Sequence, residues 1–221
     1  MLRVNAERRA ALFPASTDHP SEDNIAMKRT LIAIAIAAFF STGAFAQTAA
    51  SETARDTAQQ ARIEQGLKSG DLSTREAASL EHKEQRIDRT EARDMRDGTL
   101  SAREKAQIQR EQNHVSGAIY DDKHNGVNGN PNSASSQRMQ ADVQRNVNQQ
   151  ARINQGVRSG QLSNHEAGAL ERGQAHVDRA EARAGADGHV GAAGQARIQG
   201  KENRQSARVY NKKHNGTVRG E

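Results

Sequence analysis

Two phrases recur ninety residues apart: YDDKHNG from Tyr120 to Gly126, and YNKKHNG from Tyr210 to Gly216. Histidine is the commonest metal ligand and titrates nearest neutral pH. His124 and His214 are therefore the first residues to consider for chemistry. If two halves of the chain pack symmetrically, their imidazoles come within reach of one transition-metal ion. The other six histidines (His19, His82, His114, His165, His176 and His189) do not recur at this offset, and no pair has the H-x-x-x-H spacing. The absence of cysteine removes disulfides, thiolate metal sites and a thiol nucleophile. The alternative role for the phrase is to end a helix. A histidine in the last turn suits the macrodipole. Asn125–Gly126 and Asn215–Gly216 suit a left-handed C-cap. The tyrosine is then expected to pack on the core.

Carboxylates offer two further patterns. RDMRDGTLSARE, Arg93 to Glu104, imitates a calcium loop, with Gly98 at the sharp turn, Asp97 at the fifth position and Glu104 at the twelfth. The first and third positions, which need oxygen ligands, are Arg93 and Met95, so this loop is not expected to hold calcium tightly. DRTEAR at Asp88 and DRAEAR at Asp178 keep the pairs Asp88/Glu91 and Asp178/Glu181, three apart on one helix face. Beside so much arginine they read as surface ion pairs. With no nucleophile elbow, no H-E-x-x-H and no phosphate loop, the chain is expected not to be an enzyme and to need no cofactor.

The composition agrees with a helical, heavily solvated protein. Hydrophobic residues make up 34% of the 221 and aromatics 3%, below the usual apolar share. Lys and Arg number 32 against 27 Asp and Glu, interleaved along the chain. That pattern does not suit specific nucleic-acid binding, which wants clustered cations.

The recurrence extends well beyond KHNG. QQARIEQGLKSGDLSTREAASLE at Gln59 is matched by QQARINQGVRSGQLSNHEAGALE at Gln149, and IDRTEAR at Ile87 by VDRAEAR at Val177. We read a duplication. It gives an all-α chain of two similar three-helix modules, residues 47–126 and 138–221, joined by a polar linker at 127–137. In the first module a helix over about 52–68 stops at Ser69–Gly70. The second opens at the capping box Ser73/Glu76 and fades near Met95. The third opens at the box Ser101/Glu104. The second module keeps one box, Ser163/Glu166. The apolar stripes, Ile63 and Leu67, Leu80 and Ile87, then Ile108, Val115 and Ile119, are narrow and resemble coiled-coil seams. Each module alone has a modest core. Five glycines from Gly185 to Gly200 are expected to make the second module melt first.

The segment MKRTLIAIAIAAFFSTGAFA from Met27 has a basic start, an apolar run of about ten residues, and small residues at Ala44 and Ala46. It reads as a signal peptide over 27–46, cleaved before Gln47, for a periplasmic or secreted protein with no transmembrane segment in the mature chain. Residues 1–26 then read as an over-extended start. Mass spectrometry of the exported protein is expected to find its N-terminus near Gln47; a peptide from residues 1–26 in cells would refute the Met27 start.

The combination RI-x-QG-x-x-SG-x-LS-x-x-EA, then D-R-x-EAR, DG and Y-x-x-KHNG resembles uncharacterised exported helical proteins of proteobacteria, over about 59–126 and 149–216. The resemblance implies a periplasmic or secreted helical protein and carries no activity. LSTRE at Leu72, LSARE at Leu100 and LSNHE at Leu162 bear a looser likeness to small helical periplasmic stress chaperones, whose motif ends in Gln. The expected function is non-enzymatic, through association with a protein partner or with itself. The alternatives are a stress chaperone or cation-responsive binding protein, or weak polyanion binding by the second module. That module carries 12 Lys/Arg against 7 Asp/Glu over 149–221, whereas 59–126 carries 12 against 13.

Overall fold

The computed structural model describes residues 49–216, and these are helical with short connections. The proposed leader and cleavage site, with Ala44 and Ala46, lie outside the described residues. Six helices run in order: α1 Ala49–Ser69, α2 Thr74–Asp94, α3 Ala102–His124, α4 Ala134–Ser159, α5 Asn164–Ala184 and α6 Ala192–Lys213. A 3₁₀ turn, Met95–Asp97, follows α2.

Local chemistry sets the boundaries. Ser73, Ser101 and Ser163 each accept from the N–H three residues on, while Glu76, Glu104 and Glu166 reach back to the cap, closing a capping box before α2, α3 and α5. Gly191 stands where α6 begins and supplies no side-chain cap. Gly126 and Gly216 take left-handed φ of 79° and 75° after α3 and α6. The two KHNG phrases also tie their helices down. Asn125 Nδ2 donates to Glu76 Oε1 at 2.7 Å, and Asn215 Nδ2 to Glu166 Oε1 at 2.6 Å. The end of each third helix is thus fastened to the cap of the second.

The described residues fall within one compact unit. α2 packs along α5 and α1 along α4, and these are the most extensive helix contacts. Both pairs are antiparallel. At one end of the α2–α5 pair Gly168 lies under Met95 and Ala92; at the other Gly185 meets Ala78. In the α1–α4 pair Asn154 Nδ2 donates to Ala50 O at 2.7 Å, and Lys68 meets Gln144 at the opposite end. α3 covers α1 and α2; α6 covers α4 and α5.

The two halves therefore complete each other's cores. One apolar cluster joins Ile63, Leu67, Leu80, Ile87, Val115 and Ile119 to Met139, Val143 and Val190. The other joins Ile153, Val157, Leu162, Leu170 and Val209 to Ala49 and Met95. The narrow stripes are filled within the chain. Tyr120 and Tyr210 do not pack on the core: they are 62% and 60% exposed. Each follows a buried residue, Ile119 or Val209, and is turned about 100° further round the helix.

The connection between halves is pinned. Gly129 N donates to Gly70 O at 2.8 Å, and a Cβ on Gly129 would stand 2.3 Å from Leu72 O. The polar linker ends early: Ser133 caps α4, and Ser135, already helical, accepts from Val190 N at 2.7 Å.

Because each cluster draws on both halves, the expectation that the second module melts first gives way to a shared transition. Residues 47–221 are expected to unfold in a single step by far-ultraviolet circular dichroism and by urea. Residues 138–221 alone are expected to show little helix. Two resolved transitions would refute this.

A candidate metal centre in the polar core

The carboxylates read as surface ion pairs are buried. Asp88, Glu91, Asp178 and Glu181 are at most 2% exposed, as are Glu81, Glu84 and Glu171. On α2 the positions 81, 84, 88 and 91 step by three and four; on α5 so do 171, 174, 178 and 181. This is the spacing of a helix seam, and it turns all eight toward the partner helix. The arginines between them, Arg86, Arg89, Arg172 and Arg179, face outward. Expecting i,i+4 pairing overlooked that a seam residue and its arginine neighbour lie on different faces.

Six of these carboxylates form two triads. Glu81, Asp178 and Glu181 place ligand atoms within 4.8 Å of one another, and so do Glu171, Asp88 and Glu91. The second triad is the first shifted by ninety residues, with α2 and α5 exchanging roles. Each holds one Glu from one helix and an Asp-x-x-Glu pair from the other. The positioning residues correspond in part. Gln60 Nε2 donates to Glu81 Oε2 at 3.0 Å, and Gln150 Nε2 to Glu171 Oε2 at 2.9 Å. Asn146 Nδ2 donates to Glu181 Oε2 at 2.7 Å and Asp178 Oδ1 at 3.3 Å. In the first half the place of Asn146 is taken by a carboxylate, Asp56, and Gln112 Nε2 donates to Asp56 Oδ1 at 2.8 Å and to Glu91 Oε1 at 3.4 Å.

These donors leave oxygens over. Glu81 Oε1, Asp88 Oδ2, Glu91 Oε2, Glu171 Oε1 and Glu181 Oε1 are buried and accept from no amide, hydroxyl or cationic donor. So is Glu84 Oε1, which belongs to neither triad yet is close enough to Glu81 and Asp178 to feel their charges. No Lys, Arg or His is among the buried side chains of the described residues. An isolated buried carboxylate is costly unless it is paired, protonated or bound to a metal.

The electrostatics follow. Burial, reinforced by neighbouring carboxylates, holds Glu84, Asp88, Glu91, Asp178 and Glu181 well above the usual carboxylate range. Burial pushes Glu81 up to about 7 and Glu171 to about 8. Asp56, Glu52 and Asp142, at the ends of the same layer, are pushed to about 7 for the same reason. Glu81 faces Glu181, and Asp88 faces Asp178, within hydrogen-bonding reach. Such a pair needs a proton or a cation between its oxygens.

His124 and His214 have a different role. Each ring stacks on its tyrosine at 4.2 Å between centroids, and its Nδ1 lies 2.6–2.7 Å from the carbonyl oxygen of Tyr120 or Tyr210. Both are exposed, and neither belongs to a group of three ligating side chains among the described residues. In the calcium-like loop Asp97 accepts from Thr99 N at 2.9 Å, and Glu104 accepts from Ser101 N at 2.8 Å. Its acidic side chains are engaged in holding the turn and the cap. No family model, curated protein or solved structure matches this chain.

The folded protein retains protons to about pH 7–8 that an unfolded chain sheds near pH 4, so stability falls as pH rises across that window. In chelator, the melting temperature is expected to climb as pH is lowered from 8 to 5; a fall would contradict the buried cluster. Glu84→Gln places on α2 the residue that Gln174 already supplies on α5. It is expected to stabilise the chelated protein at pH 7.5 by at least about 1 kcal/mol, measured by urea unfolding; destabilisation would show that Glu84 is paired.

Proposed function

We propose that this chain is a non-enzymatic, exported cation-binding protein that holds hard metal ions in its buried carboxylate layer. One observation carries the reading: two equivalent, fully buried triads with free oxygens and no cationic partner. A metal ion supplies the missing charge, and the amides of Gln60, Gln150 and Asn146 orient the ligands from behind. Three carboxylates and no imidazole or thiolate form a donor set suited to calcium or manganese rather than zinc or copper. The reading of an exported protein rests on the segment from Met27 to Ala46. No helix among the described residues is long and apolar enough to cross a membrane.

Association with a protein partner, or with another copy, is a second reading. The seams it would use are filled within the chain. The exposed large apolar side chains among the described residues are Tyr120, Val127 and Tyr210.

Metal binding to a buried site is coupled to folding. At pH 7.5, adding Mn²⁺ or Ca²⁺ to the chelated protein is expected to raise the melting temperature in a concentration-dependent way and to remove most of the pH dependence above. A melt unmoved by any of Mn²⁺, Ca²⁺, Mg²⁺ or Zn²⁺ would refute the proposal.

A further inference from the structure

Resting on the cation-binding reading, we infer that the two triads form one coupled dinuclear centre for hard ions of the size of Ca²⁺ or Mn²⁺, joined through Asp88 and Asp178. Three observations lead there. The triads are not separate pockets: Asp178 belongs to the first and Asp88 to the second, and the two carboxyl groups face each other within hydrogen-bonding reach. An ion held by Glu81, Asp178 and Glu181 therefore fixes the carboxylate against which the second ion's ligand rests. The arrangement is reciprocal, because α2 and α5 contribute identical residue types at positions related by ninety. Finally, the second triad offers a second ion the same three carboxylates as the first, with protons neutralising whichever triad is empty.

Hydration selects the ion. The ligand atoms of each triad lie within 4.8 Å of one another, close enough to share one cation. Mg²⁺ gives up its waters reluctantly and prefers sites that leave several in place. The triads are buried to 2% exposure or less, which penalises such an ion. Glu84, with its free Oε1 beside Glu81 and Asp178, adds a further oxygen on one side.

The test loads the full mature chain, residues 47–221, after chelation, with Mn²⁺, Ca²⁺, Mg²⁺ or Zn²⁺ singly. Bound metal is counted by equilibrium dialysis and elemental analysis. Two Mn²⁺ or two Ca²⁺ per chain are expected, with weaker uptake of Mg²⁺ and Zn²⁺ at equal concentration. Electron paramagnetic resonance of the Mn²⁺ form is expected to show an exchange-coupled pair rather than isolated six-line signals. Glu91→Gln, confined to one triad, is expected to leave one ion near wild-type affinity. Asp88→Asn is expected also to weaken the ion held by Glu81, Asp178 and Glu181 by about tenfold or more, and Asp178→Asn to do the reverse. If no ion binds, the cation-binding reading fails together with the inference. If one ion binds, if two Mn²⁺ give uncoupled spectra, or if Asp88→Asn matches Glu91→Gln, the coupled centre is overturned while cation binding stands. Tighter uptake of Zn²⁺ than of Mn²⁺ or Ca²⁺ overturns the ion class. The resonance measurement on the unmodified chain decides the question even if a variant fails to fold.

Discussion

A layer of acidic side chains crosses the middle of this protein with no basic side chain buried beside it, and the rest of the architecture has to accommodate that layer. Uncompensated charge in a low-dielectric interior is among the largest penalties a fold can carry. Arg62 offsets it in part at Glu84, and Arg145 pairs with Glu202 at 2.8 Å; at the six triad carboxylates a proton or a metal ion can lift it. The apolar clusters at the two ends of the bundle supply the association energy, and the polar layer between them sets the condition under which that energy is realised. The amides of Gln60, Gln112, Asn146 and Gln150 each give an N–H to a carboxylate in this layer. They fix where the acidic oxygens lie without neutralising them, which is how an outer shell supports ligands.

The layer exists because corresponding helices of the two halves pair with each other. α2 runs antiparallel to α5 and α1 to α4, so each contact recurs with the helices exchanged across an approximate two-fold relation, and near its centre Asp88 faces its own counterpart, Asp178. A single Asp-x-x-Glu on one helix gives one half of a site; pairing the helix with its counterpart generates both triads. The arrangement also explains why neither half has a large core of its own. Ala49 and Met95 finish the second half's cluster, and Met139, Val143 and Val190 finish the first's.

Much of the fold was legible in the sequence. The capping boxes at Ser73, Ser101 and Ser163, the glycine stops and the seven-residue spacing of Leu80 and Ile87 mark the helices to within a few residues. The pairing was not legible, because nothing in a local pattern states which seam meets which. The buried acidic layer was hidden by the same ambiguity. Asp88 and Glu91 beside Arg89 and Arg93 look like a solvated face when read as neighbours in sequence. Their register with Glu81 and Glu84 was the available signal: four acids at seam spacing, three of them repeated in the second half, with Gln174 as the one exchange. Tyr120 and Tyr210 misled in the opposite direction. Large, and adjacent to the apolar stripe, they lie one residue past it and cover a histidine instead.

Proteins built from two interpenetrating, similar halves commonly exchange those halves between molecules, since a partner's segment makes the same contacts as the chain's own. Here the crossing is held shut. The peptide at Gly129 lies on the turn after α1, bonded to Gly70, too close to Leu72 for any side chain. Ser133 then starts α4 at once. Opening the crossing into the straightened hinge that exchange requires would break the Gly129–Gly70 bond and lift the peptide off Leu72. The connection thereby favours the arrangement in which both faces of the acidic layer come from one polypeptide.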